Sequence, residues 1–188
     1  MSLLAFCEWL AATQGSTALR ESLFMYPLIE SSHVLFLLLF VGLTVIWDLR
    51  LLGVVLTEVP VSEMTDRILP WVRWGFAIMV FTGVLLFYGI PVRTYQSVWF
   101  RAKVIFLILA SLNIAYFHYR LLPHSASWDR DARLPTAVRR AGLFSLILWA
   151  GIIVAGRFIA YNWFDCDIQP QPAFVNWFAG CVVPPATD

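Results

Sequence analysis

Four long apolar runs, almost free of charge and separated by polar stretches, set the pattern of the chain. They cover about 28–47, 71–91, 99–119 and 141–160. As helix, about 20 residues at about 1.5 Å each cross the roughly 30 Å of a bilayer's hydrocarbon. The pattern therefore predicts an all-α, polytopic membrane protein in one domain, with four transmembrane helices in an up-down bundle. Ahead of the first run, Leu3, Leu4, Phe6, Cys7, Leu10 and Ala11 recur near helical spacing, which predicts a short interfacial helix. We expect Gly15-Ser16 to end it. Met1 to Leu19 holds Glu8 and no Lys or Arg, so it lacks the basic region of a secretory signal and is read as retained.

Between the first two runs, Glu58, Glu63, Asp66, Arg67, Pro60 and Pro70 predict a loop with at most a short surface helix. The stretch 121–140 is the most charged of the chain. After the fourth run comes a tail rich in Pro and aromatic residues, including Trp163, Phe164, Phe174, Trp177 and Phe178. It is too interrupted to cross the membrane and predicts a C-terminal cap.

Composition agrees with lipid as the main solvent: 60% of the 188 residues are hydrophobic and 13% charged, against about 45–50% and about 25% in a soluble domain. No basic patch points to nucleic acid. Four spans put both termini on one side, which sorts the basic residues. Arg20, Arg93, Arg101, Lys103 and Arg157 fall on the terminal side, and Arg50, Arg67, Arg73, Arg120, Arg130, Arg133, Arg139 and Arg140 on the other. The excess on the loop side predicts cytoplasmic loops and both termini outside. Cys7, Cys166 and Cys181 then lie outside, where disulfides persist. A bond between Cys166 and Cys181 would staple the tail and leave Cys7 odd, the alternative being three free thiols.

The candidate chemistry sits in Glu30-Ser31-Ser32-His33, a carboxylate and an imidazole three residues apart near the start of an apolar helix. Arg157 and Lys103 reach similar depth, and either is expected beside Glu30 to offset its burial. His118 lies near the far end of the third span, with Asp48, Arg50 and Arg120 at roughly that level. Laid out simply, His33 and His118 differ in height by roughly 20 Å. Haem b held by His33 and His118, with Arg157 or Lys103 for its propionates, would thus need one helix to be shifted. Three histidines are too few for two bis-histidine haems. A di-iron site would need a second Glu-x-x-His and further carboxylates, which the spans lack. Asn113 is expected to act as a hydrogen-bonding link between helices.

The run Pro27-Leu28-Ile29-Glu30-Ser31-Ser32-His33, the helix end Trp47-Asp48-Leu49-Arg50-Leu51-Leu52-Gly53, the pair Phe117-His118 and the end Gly156-Arg157-Phe158-Ile159-Ala160-Tyr161 resemble a family of small four-helix bacterial inner-membrane proteins. The likeness covers Leu19 to Tyr161 and implies fold and location, without an activity. Histidines in apolar helices give a looser resemblance to small membrane cytochromes b. The leading expectation is a membrane electron-transfer subunit, binding haem b or contacting quinone, that serves a periplasmic or membrane redox partner or a second copy. The alternatives are a proton- or solute-coupled transport subunit and a structural anchor without cofactor.

Overall fold

The computed structural model describes residues 2–131, 133–161, 164 and 166–181. Two short helices, α1 (Leu3–Ala11) and α2 (Gln14–Glu21), precede the spanning helices α3 (Met25–Leu52) and α4 (Val61–Gly89). A one-turn helix α5 (Pro91–Tyr95) leads into α6 (Val98–Tyr116), which continues through a π-helical turn (Phe117–Leu121) and a 3-10 turn (Leu122–Ser127). Helix α7 (Thr136–Ile159) is the fourth span, and α8 (Ala173–Ala179) lies in the tail. Among the described residues four helices are long and apolar enough to cross a membrane, and they make the chain a multi-pass membrane protein.

The helix ends follow local chemistry. Ser2, Thr13 and Ser97 each cap the helix that follows, accepting from Ala5, Ser16 and Phe100 N–H respectively, which satisfies donors that the first turn leaves open. Gly53 ends α3 in the left-handed conformation, φ 76°, with its own N–H and that of Val54 returning to Arg50 and Leu49 carbonyls. A side chain at that φ would be strained. Two expectations are corrected here. Gly15-Ser16 does not end the first helix but lies inside α2, because both residues press on the end of α4: Ser16 Oγ donates to the Tyr88 carbonyl at 2.7 Å, and a Cβ on Gly15 would run into the Tyr88 hydroxyl. Residues 61–70 are helical rather than loop, and Pro70 lies within α4. That first stretch buries Val61 and Met64, so packing outweighs the hydrogen bond that Pro70 cannot make.

The bundle is built from rings seated on glycines. Helix α3 packs on α4 and α7, and α6 packs on α7. On the α3–α4 seam, Tyr26 covers Gly89, His33 covers Gly83, and Phe40 covers Gly75. On α7, Gly142 faces Leu51 of α3, while Gly151 and Gly156 face Phe106 and Lys103 of α6. In lipid no hydrophobic force drives helices together, so such close backbone approach supplies much of the association. The middle of the core is Phe40, Val41, Met79, Ala110, Trp149 and Ile152, with Phe40 edge-on to Trp149 at 4.7 Å between centroids. At the end away from the termini, Leu51, Val61, Phe117, Trp128, Leu134, Val138 and Ala141 form a second core. At the terminal end a Cys166–Cys181 disulfide closes the tail, and Cys7 is free and buried.

Candidate functional site in the terminal half of the bundle

His33 reaches α4 because Gly83 leaves room for it; a Cβ there would stand 3.3 Å from His33 Cε1. One residue earlier, Thr82 Oγ1 lies 2.9 Å from His33 Nδ1. The Thr82 hydroxyl has one hydrogen, and that hydrogen is directed back along its own helix to the Ile78 carbonyl at 2.8 Å, shared with Met79 at 3.1 Å. Oγ1 is therefore the acceptor toward the ring. That oxygen places the proton of the neutral ring on Nδ1, which leaves the lone pair on Nε2. Nε2 has no hydrogen-bond partner among the described residues.

Lys103 comes from the opposite pair of helices. Its Nζ would lie 3.5 Å from a Cβ on Gly156, so the ammonium rests on bare α7 backbone, and it is close enough to act electrostatically on His33. Among the described residues no carboxylate forms an ion pair with it. The four helices thus bring one base and one cation to the same depth, each resting against a glycine. Thr82 is not among the sequence candidates; its role as the partner of His33 depends on the α3–α4 register.

The remaining sequence candidates go elsewhere. Glu30 is exposed, one turn from Tyr26, on which it acts electrostatically, and among the described residues it pairs with neither Arg157 nor Lys103. Residues three apart differ by about 60° around a helix, enough to turn Glu30 outward while His33 points at α4. Arg157 binds a neighbour just past the end of its own helix: Nη2 donates to the Tyr161 hydroxyl at 2.9 Å, and the guanidinium sits 4.8 Å from that ring's centroid. His118 is exposed in the π-helical turn, edge-on to Tyr119. It lies 20 residues after the start of α6, and His33 lies 8 after the start of α3. With the two helices starting level, the imidazoles are about 18 Å apart in height.

The expected cluster of Asp48, Arg50, His118 and Arg120 is also divided. His118 and Arg120 are exposed, whereas Asp48 and Arg50 are fully buried. Arg50 Nε donates to the Val59 carbonyl at 2.8 Å and lies within electrostatic reach of Asp129. Asp129 in turn accepts from Ser62 N at 2.7 Å and from Ser62 Oγ at 2.6 Å. Together these contacts lock the two loops of that end against each other. Asp48 faces Ser145 of α7, outside hydrogen-bonding geometry. Asn113 does link helices, donating from Nδ2 to the Ala141 carbonyl at 2.9 Å.

A family of unknown function, DUF6644, matches residues 21–162. The chain belongs to that family. The match spans all four membrane helices of this DUF6644 chain and includes His33, Thr82 and Lys103. No curated protein matches the chain, and no solved structure does.

Proposed function

We propose that this DUF6644 chain is a membrane electron-transfer subunit that holds a quinone head group between His33 and Lys103. The observation that carries the reading is the assigned imidazole tautomer: Nδ1–H is fixed on Thr82, so Nε2 is an acceptor, with an ammonium nearby. A quinol needs such a pair. Its hydroxyl donates to Nε2, and the oxygen across the ring accepts from Lys103. On oxidation the quinol passes two electrons to a redox partner, one proton to Nε2 and the other to water, leaving quinone. Glu30 and Arg157 stand at the same end and would meet the partner.

The arginine excess at the loop end supports a bacterial inner-membrane orientation with periplasmic termini, and so does the disulfide at the terminal end. In that orientation His33 and Lys103 lie in the outer half of the membrane. Haem b is the second reading, favoured by the same free Nε2, with Lys103 for a propionate. The height and exposure of His118 would leave His33 as the imidazole of this chain that holds the haem.

The test is solvent extraction of the purified protein together with its oxidised and reduced spectra. Bound quinone in the parent, lost in both His33→Ala and Lys103→Met but kept in His118→Ala, supports the quinone site. A Soret band with a pyridine haemochrome that disappears with His33 moves the reading to haem. Neither group in a protein purified in mild detergent, together with unaltered binding of a short-chain quinone by the two variants, would refute both and leave transport or anchoring.

A further inference from the structure

The other end of the bundle carries a second feature, in the groove between α6 and α7. A cleft of about 330 Å³ is lined by Asn113 and Tyr116 of α6 and by Ala137, Arg140, Ala141 and Phe144 of α7. Its lining is graded along the membrane normal. Ala137 lies in the first turn of α7, with Tyr116 near the end of α6. Asn113, Arg140 and Ala141 lie about a turn deeper and Phe144 about a turn below Arg140, and the Arg140 side chain is long enough to carry its guanidinium back to headgroup height. The two alanines, one turn apart, hollow the α7 face, and the amide link from Asn113 to the Ala141 carbonyl fixes the helix spacing at that depth. Arg140 is exposed and makes no ion pair among the described residues. Arg120, Arg130, Arg133 and Arg139 stand at the same end. Of the nearby carboxylates, Asp129 is engaged by Ser62, and Asp131 is exposed.

We propose that this cleft is a binding site for an anionic phospholipid, with the phosphate on Arg140 and the Tyr116 hydroxyl and an acyl chain lying along Ala141 and Phe144. The grading matches the ligand: a cation and a phenol at headgroup height, small and aromatic apolar groups below. A soluble anion would leave the apolar part of the cleft unfilled, and a neutral lipid would leave the arginine without a partner. Basic pockets between spanning helices, on the side where arginine is in excess, suit anionic headgroups in this way.

The test is native mass spectrometry of the delipidated protein titrated with dioleoyl phosphatidylglycerol and, in parallel, dioleoyl phosphatidylcholine. The ratio of the two affinities is read within each variant, so a partly unfolded sample does not bias it. The parent is expected to favour phosphatidylglycerol by about fivefold, the contribution of one well-placed arginine. Arg140→Gln should bring the ratio near one, whereas Arg130→Gln should leave it unchanged. Ala137→Trp, which fills the exposed mouth of the cleft, should weaken both lipids. The proposal is overturned if Arg140→Gln keeps the preference, if Arg130→Gln loses as much, if Ala137→Trp binds as the parent does, or if glycerol phosphate displaces the lipid at equal concentration.

Discussion

Replacing Thr82 by Val tests the central deduction, since it keeps the side chain's shape and removes the one oxygen that accepts from His33 Nδ1 at 2.9 Å. The Ile78 and Met79 carbonyls lose only a supplementary bond, so the cost falls on the imidazole. Interhelical side-chain hydrogen bonds in membranes average about 0.6 kcal/mol and reach about 1.7 kcal/mol. Thr82 is buried, which places the expected loss in the upper part of that range, near 1 kcal/mol by the same scale. The more telling readout is the proton itself. With three histidines in the chain, 15N-histidine NMR resolves each ring, and His33→Ala assigns the signal. The parent should show a neutral His33 protonated on Nδ1. Thr82→Val should populate the Nε2–H form, and a quinone analogue should then bind several-fold more weakly, while Thr82→Ser should restore both. A parent spectrum with the proton on Nε2, or a Thr82→Val spectrum identical to the parent's, would refute the reasoning whatever the stability change.

The remaining predictions concern the ends of the molecule. Gly15→Ala places a methyl against the Tyr88 hydroxyl and should cost about 1–3 kcal/mol as overpacking; faster limited proteolysis between α1 and α3, with the bundle otherwise intact, checks it. Asp129→Ala removes the acceptor of two short bonds from Ser62 and the negative charge that acts on buried Arg50, for an expected loss of about 3 kcal/mol, read from the unfolding midpoint. Unfolded but unreduced protein should take one equivalent of alkylating agent, on Cys7, because Cys166 and Cys181 are bonded. In the folded protein, burial first and the neighbouring Glu8 second push the Cys7 thiol above its ordinary range. Its thiolate, and with it the alkylation rate, should therefore keep rising at pH values where an unburied thiol has already levelled off.

What was legible in the chain was whatever depends on distance along a helix. The four spans and the stapled tail follow from length, charge and the place of the cysteines along the chain. What escaped depends on rotation about the helix axis or on packing beyond the hydrocarbon. Glu30 and Arg157 share a depth, yet α3 turns Glu30 outward and Arg157 finds Tyr161 just past the end of its own helix. Pro70 read as the end of a loop because α4 begins outside the apolar window, where Val61 and Met64 are held by the loop-end core. Thr82 carried no signal of its own; it matters because Gly83 lets α3 come close enough to present His33.

The two polar regions of the bundle hold their charges differently. At the loop end, Arg50 Nε and Asp129 are tied to Val59 and Ser62, on short bonds between segments that surround them, while the Asp48 carboxylate and the two Nη atoms of Arg50 are buried without a hydrogen-bond partner among the described residues. Removing either Arg50 or Asp129 exposes the penalty of the other. At the terminal end, His33 has one nitrogen fixed and the other free, and Lys103 lies on glycine with no carboxylate in ion-pair contact among the described residues. Leaving a base and a cation unpaired within a span costs folding energy. In the proposed reading that cost is offset when a ligand supplies the missing donor and acceptor together, as a quinone head group held by His33 and Lys103 would.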